Sequence, residues 1–126
     1  ISMKQSKEII NNTKNLMKNL RFLIKILWIV LTIHLYFFTI FINKLKKDGF
    51  DIIALEQTPN SVILPKLKTN PNQKIALLLG EEVHGITQNL LKECDYSIEI
   101  PMFGQKESFN VSVATGIALY KIICDS

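Results

Sequence analysis

Apolar and polar positions divide the chain into three stretches of different character. Residues 1–21 are polar and basic, with Ile9, Ile10, Leu16 and Leu20 at roughly helical spacing, which predicts an amphipathic helix capped by Ser2 or Ser6. Residues 22–42, which open at Phe22 and close at Ile42, are apolar at every one of their 21 positions except Lys25, Thr32, His34 and Thr39. From Lys44 onward, short apolar runs alternate with polar turns. Lys44, Lys46 and Lys47 before Gly49 read as a helix end, with basic residues in the last turn and glycine just beyond it. Phe50–Leu55 then reads as a strand.

Residues 56–73 read as a loop with Pro59, Pro65 and Pro71, containing one short extended piece at Val62, Ile63 and Leu64. Lys74–Leu79 is an almost unbroken apolar run, as expected of a strand covered on both faces. Thr87 suits the N-cap of a short helix, with Ile86 and Leu91 placed for a hydrophobic staple, and that helix ends near Cys94 and Asp95. Residues 97–100 alternate as a strand until Pro101 stops it. A last helix begins near Ser108 or Asn110 and carries Val113, Ile117 and Tyr120 at i, i+4, i+7. Its small residues Ala114, Gly116 and Ala118 permit close packing against a helix or a second subunit. Strands separated by helices predict an α/β domain with a largely parallel sheet over residues 44–126, preceded by an atypical helical segment over 1–43.

Charge sharpens that division. The 126 residues carry a formal net charge of +4. Residues 1–47 contribute +8, from nine basic residues and Glu8 alone among acids, while residues 48–126 contribute −4, from six lysines against ten acids. The basic face of the first helix suits RNA phosphates or anionic lipid equally well, and it also suits plain solvation. Cys94 and Cys124 have neither metal-ligand spacing nor a disulfide framework, so no metal is expected and a reducing, cytoplasmic setting is.

Three readings of residues 22–42 stand side by side. Their length matches a bilayer crossing of about 20 residues, and Lys14, Lys18 and Arg21 on one flank face Lys44, Lys46 and Lys47 on the other. They could equally pack on the sheet or in a dimer interface, or lie outside the ancestral domain as the product of a frameshift or a decayed gene. The first reading makes the protein membrane-associated, and His34 near the centre would then need to be neutral and paired.

Polar groups gather at three turns: Gly80-Glu81-Glu82, Pro101-Met102-Phe103-Gly104 and Glu107-Ser108-Phe109-Asn110. The ends of strands in an open α/β sheet are where ligands bind. If the strands ending at Leu79 and Ile100 are neighbours, the three turns converge on one crevice, and Gly80 would let a ligand approach the backbone. Three ordinary turns would give the same pattern.

The motifs at those turns resemble the SpoU/TrmH branch of the SPOUT methyltransferases. A G-N-E-x-x-G turn is matched by Gly80-Glu81-Glu82-Val83-His84-Gly85. An I-P-M-x-G motif is matched by Ile100-Pro101-Met102-Phe103-Gly104, and an E-S-L-N-V-S-V-A motif by the eight residues from Glu107 to Ala114. The resemblance implies a trefoil-knotted parallel sheet that binds S-adenosyl-L-methionine and methylates ribose 2′-hydroxyls of tRNA or rRNA, acting as a homodimer. It implies that Gly80, Ile100 and Phe109 contact the cofactor, that Ser108 and Asn110 sit at the reacting centre, and that Glu82 supports the turn. Departures are Glu81 for asparagine, His84 for a frequent arginine and Phe109 for leucine. The family's upstream N-x-G-x-x-x-R-T motif is not convincingly present: Asn15 and Arg21 keep its spacing, but Met17 and Phe22 replace its glycine and threonine. The expectation is therefore a cofactor-binding part with impaired catalysis; the alternative is a membrane-attached or non-catalytic interaction module.

Overall fold

The computed structural model describes residues 1–104 and 109–124. They form two compact units, Ile1–Ile40 and Phe41–Ser126. The two N-terminal stretches of different polarity belong to one helix, α1 (Met3–Lys47). Neither glycine nor proline occurs anywhere within it, so nothing in the backbone interrupts it at the polarity change. Ser2 caps it: the Gln5 N–H donates to Ser2 Oγ at 3.3 Å, and the Ser2 N–H donates to Gln5 Oε1 at 2.9 Å. That reciprocal pair is a capping box. In the apolar part of α1, an 18-residue window is 0% buried.

The second unit is built on four parallel strands: β1 (Phe50–Leu55), β2 (Val62–Ile63), β3 (Lys74–Leu79) and β4 (Tyr96–Glu99). A 3-10 turn, Leu64–Lys66, follows β2; α2 (Gln88–Glu93) links β3 to β4, and α3 (Val111–Cys124) follows β4. The spatial order is β2-β4-β1-β3. β1 pairs with β3 from Phe50↔Lys74 to Leu55↔Leu79, and with β4 from Ile53↔Tyr96 to Leu55↔Ile98.

This order corrects two expectations. β3 is an edge strand, half-exposed along most of its length, whereas Ile52, Ile53 and Ala54 of β1 are buried at 2%, 0% and 0% exposure. Both strands are apolar runs, and only pairing on two sides distinguishes the central one. The strands ending at Leu79 and Ile100 are also not neighbours, because β1 lies between them.

The core consists of Ile53, Leu64, Leu67, Ile98 and Ala118. Ala118 is fully buried, so the small side chain brings α3 against the sheet and the 3-10 turn. The Val113, Ile117 and Tyr120 stripe stays exposed, and Gly116 has nothing within 4 Å of where a Cβ would stand. The spacing of the large residues on α3 therefore marks a face this chain does not bury. At the other end of the sheet, Asp95 locks β4 to β1. Its N–H donates to Ile52 O at 2.8 Å, and its carboxylate accepts the Ile52 N–H at 2.7 Å.

Candidate cofactor crevice

Parallel strands present their carboxyl ends on one side, so the ends of β1, β3 and β4 meet although β3 and β4 do not pair. A crevice of about 370 Å³ lies there. Leu55 ends β1 and Glu56 and Gln57 follow it; Leu79 ends β3 and Gly80 follows; Glu99 ends β4 and Ile100 follows, and all seven line the crevice. The turn after β3, with Met102, Phe109, Val111 and Ala114, completes the wall.

The turn from Gly80 to Ile86 folds back on itself. Glu81 and Gly85 form an isolated antiparallel bridge, with the Gly85 N–H donating to Glu81 O at 3.0 Å. Gly85 has φ +65°, a left-handed conformation that glycine adopts without a steric penalty. A Cβ on Gly80 would lie 2.7 Å from the Gly85 backbone and 2.9 Å from Ile86 N. The turn's own return strand thus fills the space that the sequence suggests for a ligand, and this close backbone approach is what requires glycine at position 80.

Two carboxylates hold the turn. Glu81 accepts the N–H groups of Val83 and His84 at 3.3 and 2.5 Å and also meets His84 Nδ1. The His84 backbone N–H, then the His84 ring, hold the Glu81 carboxyl below the usual carboxylate range. Glu56, at the end of β1, accepts the Ile86 N–H at 3.0 Å and the Gln57 N–H at 3.1 Å. Glu82 is exposed on the crevice wall, and its side chain makes no hydrogen bond among the described residues. Glu99 accepts the Ser61 hydroxyl at 2.7 Å.

Of the residues singled out in the sequence, Gly80, Ile100, Phe109 and Glu82 come together around the crevice. Asn110 stands at the start of α3, exposed, where its Oδ1 accepts the Ser112 N–H at 2.9 Å and its carbonyl accepts the Ala114 N–H. Ser108 lies outside the described residues. Sequence reasoning missed Glu56 and Glu99. Their signal was position at the end of a strand, but Glu56 reads as the first residue of a loop.

A family profile described as SpoU rRNA Methylase family matches residues 8–120. The chain belongs to this family. The SpoU member chain is 37% identical over 82 residues to a tRNA (guanosine(18)-2′-O)-methyltransferase of Borreliella burgdorferi, a match covering 65% of this chain and 37% of that protein. Its fold resembles the Aquifex aeolicus TrmH/SpoU tRNA modifying enzyme with a TM-score of 0.54 and 36% identity, over 62% of this chain and 39% of that one. It also resembles an AdoMet-bound rRNA methyltransferase from Sinorhizobium meliloti, with a TM-score of 0.58 and 28% identity over 64% of this chain and 30% of that one. The chain therefore spans little more than a third of the Borreliella relative's length.

The crevice of this SpoU chain combines an apolar slot, from Leu55, Leu79, Ile100 and Phe109, with the carboxylates of Glu81, Glu82 and Glu99. Among the described residues, no lysine or arginine lines it. Apolar walls suit an aromatic base, and carboxylates suit a cationic substituent, so the residues fit a nucleoside carrying a positive charge.

Proposed function

We propose that this chain carries the S-adenosyl-L-methionine-binding part of an RNA ribose 2′-O-methyltransferase. The observation that supports it most is the convergence of Gly80, Ile100 and Phe109 on one crevice at three strand ends, in a chain of the SpoU family. When bound, the cofactor supplies an electrophilic methyl group on a sulfonium. The chain's residues would hold it: Leu79, Ile100 and Phe109 would line the base, and the carboxylates of the turn would offset the cationic arm. The resemblance gives Asn110, at the exposed start of α3, and Ser108 the role of orienting a 2′-hydroxyl and helping with its proton. In this reading the C-terminal segment is knotted, the RNA is a tRNA or rRNA, and the setting is cytoplasmic.

The upstream pattern keeps Asn15 and Arg21 but has Met17 and Phe22 where the resemblance calls for glycine and threonine. Cofactor binding with impaired methyl transfer is therefore expected. Calorimetric titration with S-adenosyl-L-methionine tests the first half, and absence of heat and of competition by S-adenosylhomocysteine overturns it. Transfer of labelled methyl to bulk tRNA and rRNA tests the second; robust incorporation would show that Arg21 or another group replaces the motif.

The exposed stripe of Val113, Ile117 and Tyr120 supports a homodimer formed through α3. A second reading rests on the apolar part of α1: its 18-residue window has a mean hydropathy of 2.0 and is 0% buried. Residues 22–42 would then enter a bilayer, with the basic groups on both flanks at the lipid surface. Carbonate extraction of membranes decides this point, since a chain recovered in the soluble fraction has no inserted helix.

A further inference from the structure

The crevice keeps its shape only while the turn from Gly80 to Ile86 stays folded against the strand ends, and one side chain from outside the turn holds it there. Glu56 directly follows β1, the strand fixed by β3 on one side and β4 on the other, and its own N–H donates to Ile98 O at 3.0 Å. Its backbone is thus as firmly placed as any in the sheet. From that position Oε2 accepts the Ile86 N–H at 3.0 Å, while Oε1 accepts the Gln57 N–H at 3.1 Å. Ile86 is only 7% exposed, so water cannot readily replace the carboxylate. Gly85 presents its Cα to the same carboxylate, and any Cβ there would collide with Oε2.

We propose that Glu56 is a positioning residue for cofactor binding: its carboxylate, anchored on β1, clamps the Gly85–Ile86 return of the turn and so sets the crevice that the turn encloses. This rests on the cofactor reading above. The clamp acts through hydrogen-bond reach: the two carboxylate oxygens serve two backbone N–H groups. Charge and reach can be separated. Glu56→Gln keeps one acceptor oxygen at the same reach, for the Ile86 N–H, and gives up the charge and the bond to the exposed Gln57 N–H; Glu56→Asp keeps the charge and withdraws it by one methylene.

The experiment is calorimetric titration of wild type, Glu56→Gln, Glu56→Asp and Glu56→Ala with S-adenosyl-L-methionine and with S-adenosylhomocysteine, whose sulfur is neutral. Amide hydrogen exchange is followed at Ile86, with Ile53 and Ile98 reporting an intact sheet. In Glu56→Asp and Glu56→Ala both ligands are expected to weaken by the same factor, about tenfold for loss of a charge-assisted hydrogen bond at a buried N–H. Ile86 exchange should accelerate in the same two variants, and Glu56→Gln should stay within about threefold of wild type in both measurements. If Glu56→Ala disrupts the sheet, the Asp and Gln pair carries the comparison. Selective weakening of S-adenosyl-L-methionine in Glu56→Gln, with S-adenosylhomocysteine unaffected, would show a charge effect and overturn the clamp. Wild type that binds neither ligand overturns the cofactor reading and this proposal with it. Wild type that binds both, matched by Glu56→Asp and Glu56→Ala, overturns this proposal alone.

Discussion

Gly80 and Gly85 pack backbone to backbone, so closely that a Cβ on Gly80 would stand 2.7 Å from the Gly85 Cα. No flexible side chain is present there to yield; the turn itself would have to open. Gly80→Ala should therefore cost about 1–3 kcal/mol of stability, the range for overpacking a fitted site, and should weaken cofactor binding together with it. Gly116 provides the internal contrast. It lies within α3 with nothing within 4 Å of a Cβ. Gly116→Ala should stabilise the protein by up to about 1 kcal/mol through helix propensity. Urea unfolding midpoints of the two variants should move in opposite directions.

The Glu81 carboxylate joins the N–H groups of Val83 and His84 within one turn, and its pKa is depressed mainly by the His84 backbone N–H. A depressed folded-state pKa means that the carboxylate stabilises the turn fully above its unfolded value, about pH 4.3. That contribution is lost as pH falls through the lower folded value. The amides of Val83 and His84 should keep their protection down to mildly acidic pH and lose it below that window, ahead of Ile53 in the sheet. Glu81→Ala should raise their exchange severalfold at neutral pH and remove the acid-dependent step. A step that survives in Glu81→Ala would assign it to another group.

How much of this was legible in the sequence depends on whether a feature is local. The runs at Phe50–Leu55 and Lys74–Leu79 announce strands because their apolar content is continuous, and Gly49 and Pro101 mark boundaries by backbone chemistry. Which of the two strands is central is not local: it follows from where β4 inserts, and no residue within β1 or β3 encodes it alone. The same limit hid Glu56. Its partner Ile86 is 30 positions away, so the carboxylate looked like a loop residue until the order of the strands was known. Gly80 was found for a reason that changed, since its space is taken by Gly85. On α3, Ala118 was among the small residues read as permitting close packing, and it is the one that is buried, while the Val113, Ile117 and Tyr120 stripe stays exposed.

The pairing of Asp95 with Ile52 predicts a large effect from an exposed residue. Asp95 closes two hydrogen bonds on Ile52, which is 2% exposed and central in β1. Asp95→Ala keeps the backbone bond but leaves the Ile52 N–H without its charged acceptor. The expected cost is about 1–3 kcal/mol, measurable as a lowered urea midpoint with an unchanged slope. Asp95→Asn retains an oxygen at the same reach and should recover at least half of the loss. A null effect of Asp95→Ala would mean that water reaches the Ile52 N–H.

The exposed face of α3 separates assembly from folding. Ile117 and Tyr120 are 38% and 71% exposed, whereas Ala118 between them is fully buried. A charge at Ile117 or Tyr120 meets solvent in an isolated chain and costs the fold little, but it would be stranded in an apolar interface if two copies meet through this face. Ile117→Lys with Tyr120→Glu should therefore leave the circular dichroism of the domain unchanged while halving the mass seen by sedimentation. Ala118→Glu, by contrast, should unfold the domain, because it places a charge in the core with Ile53 and Ile98. A double variant that sediments as the wild type does would exclude this face as the dimer contact.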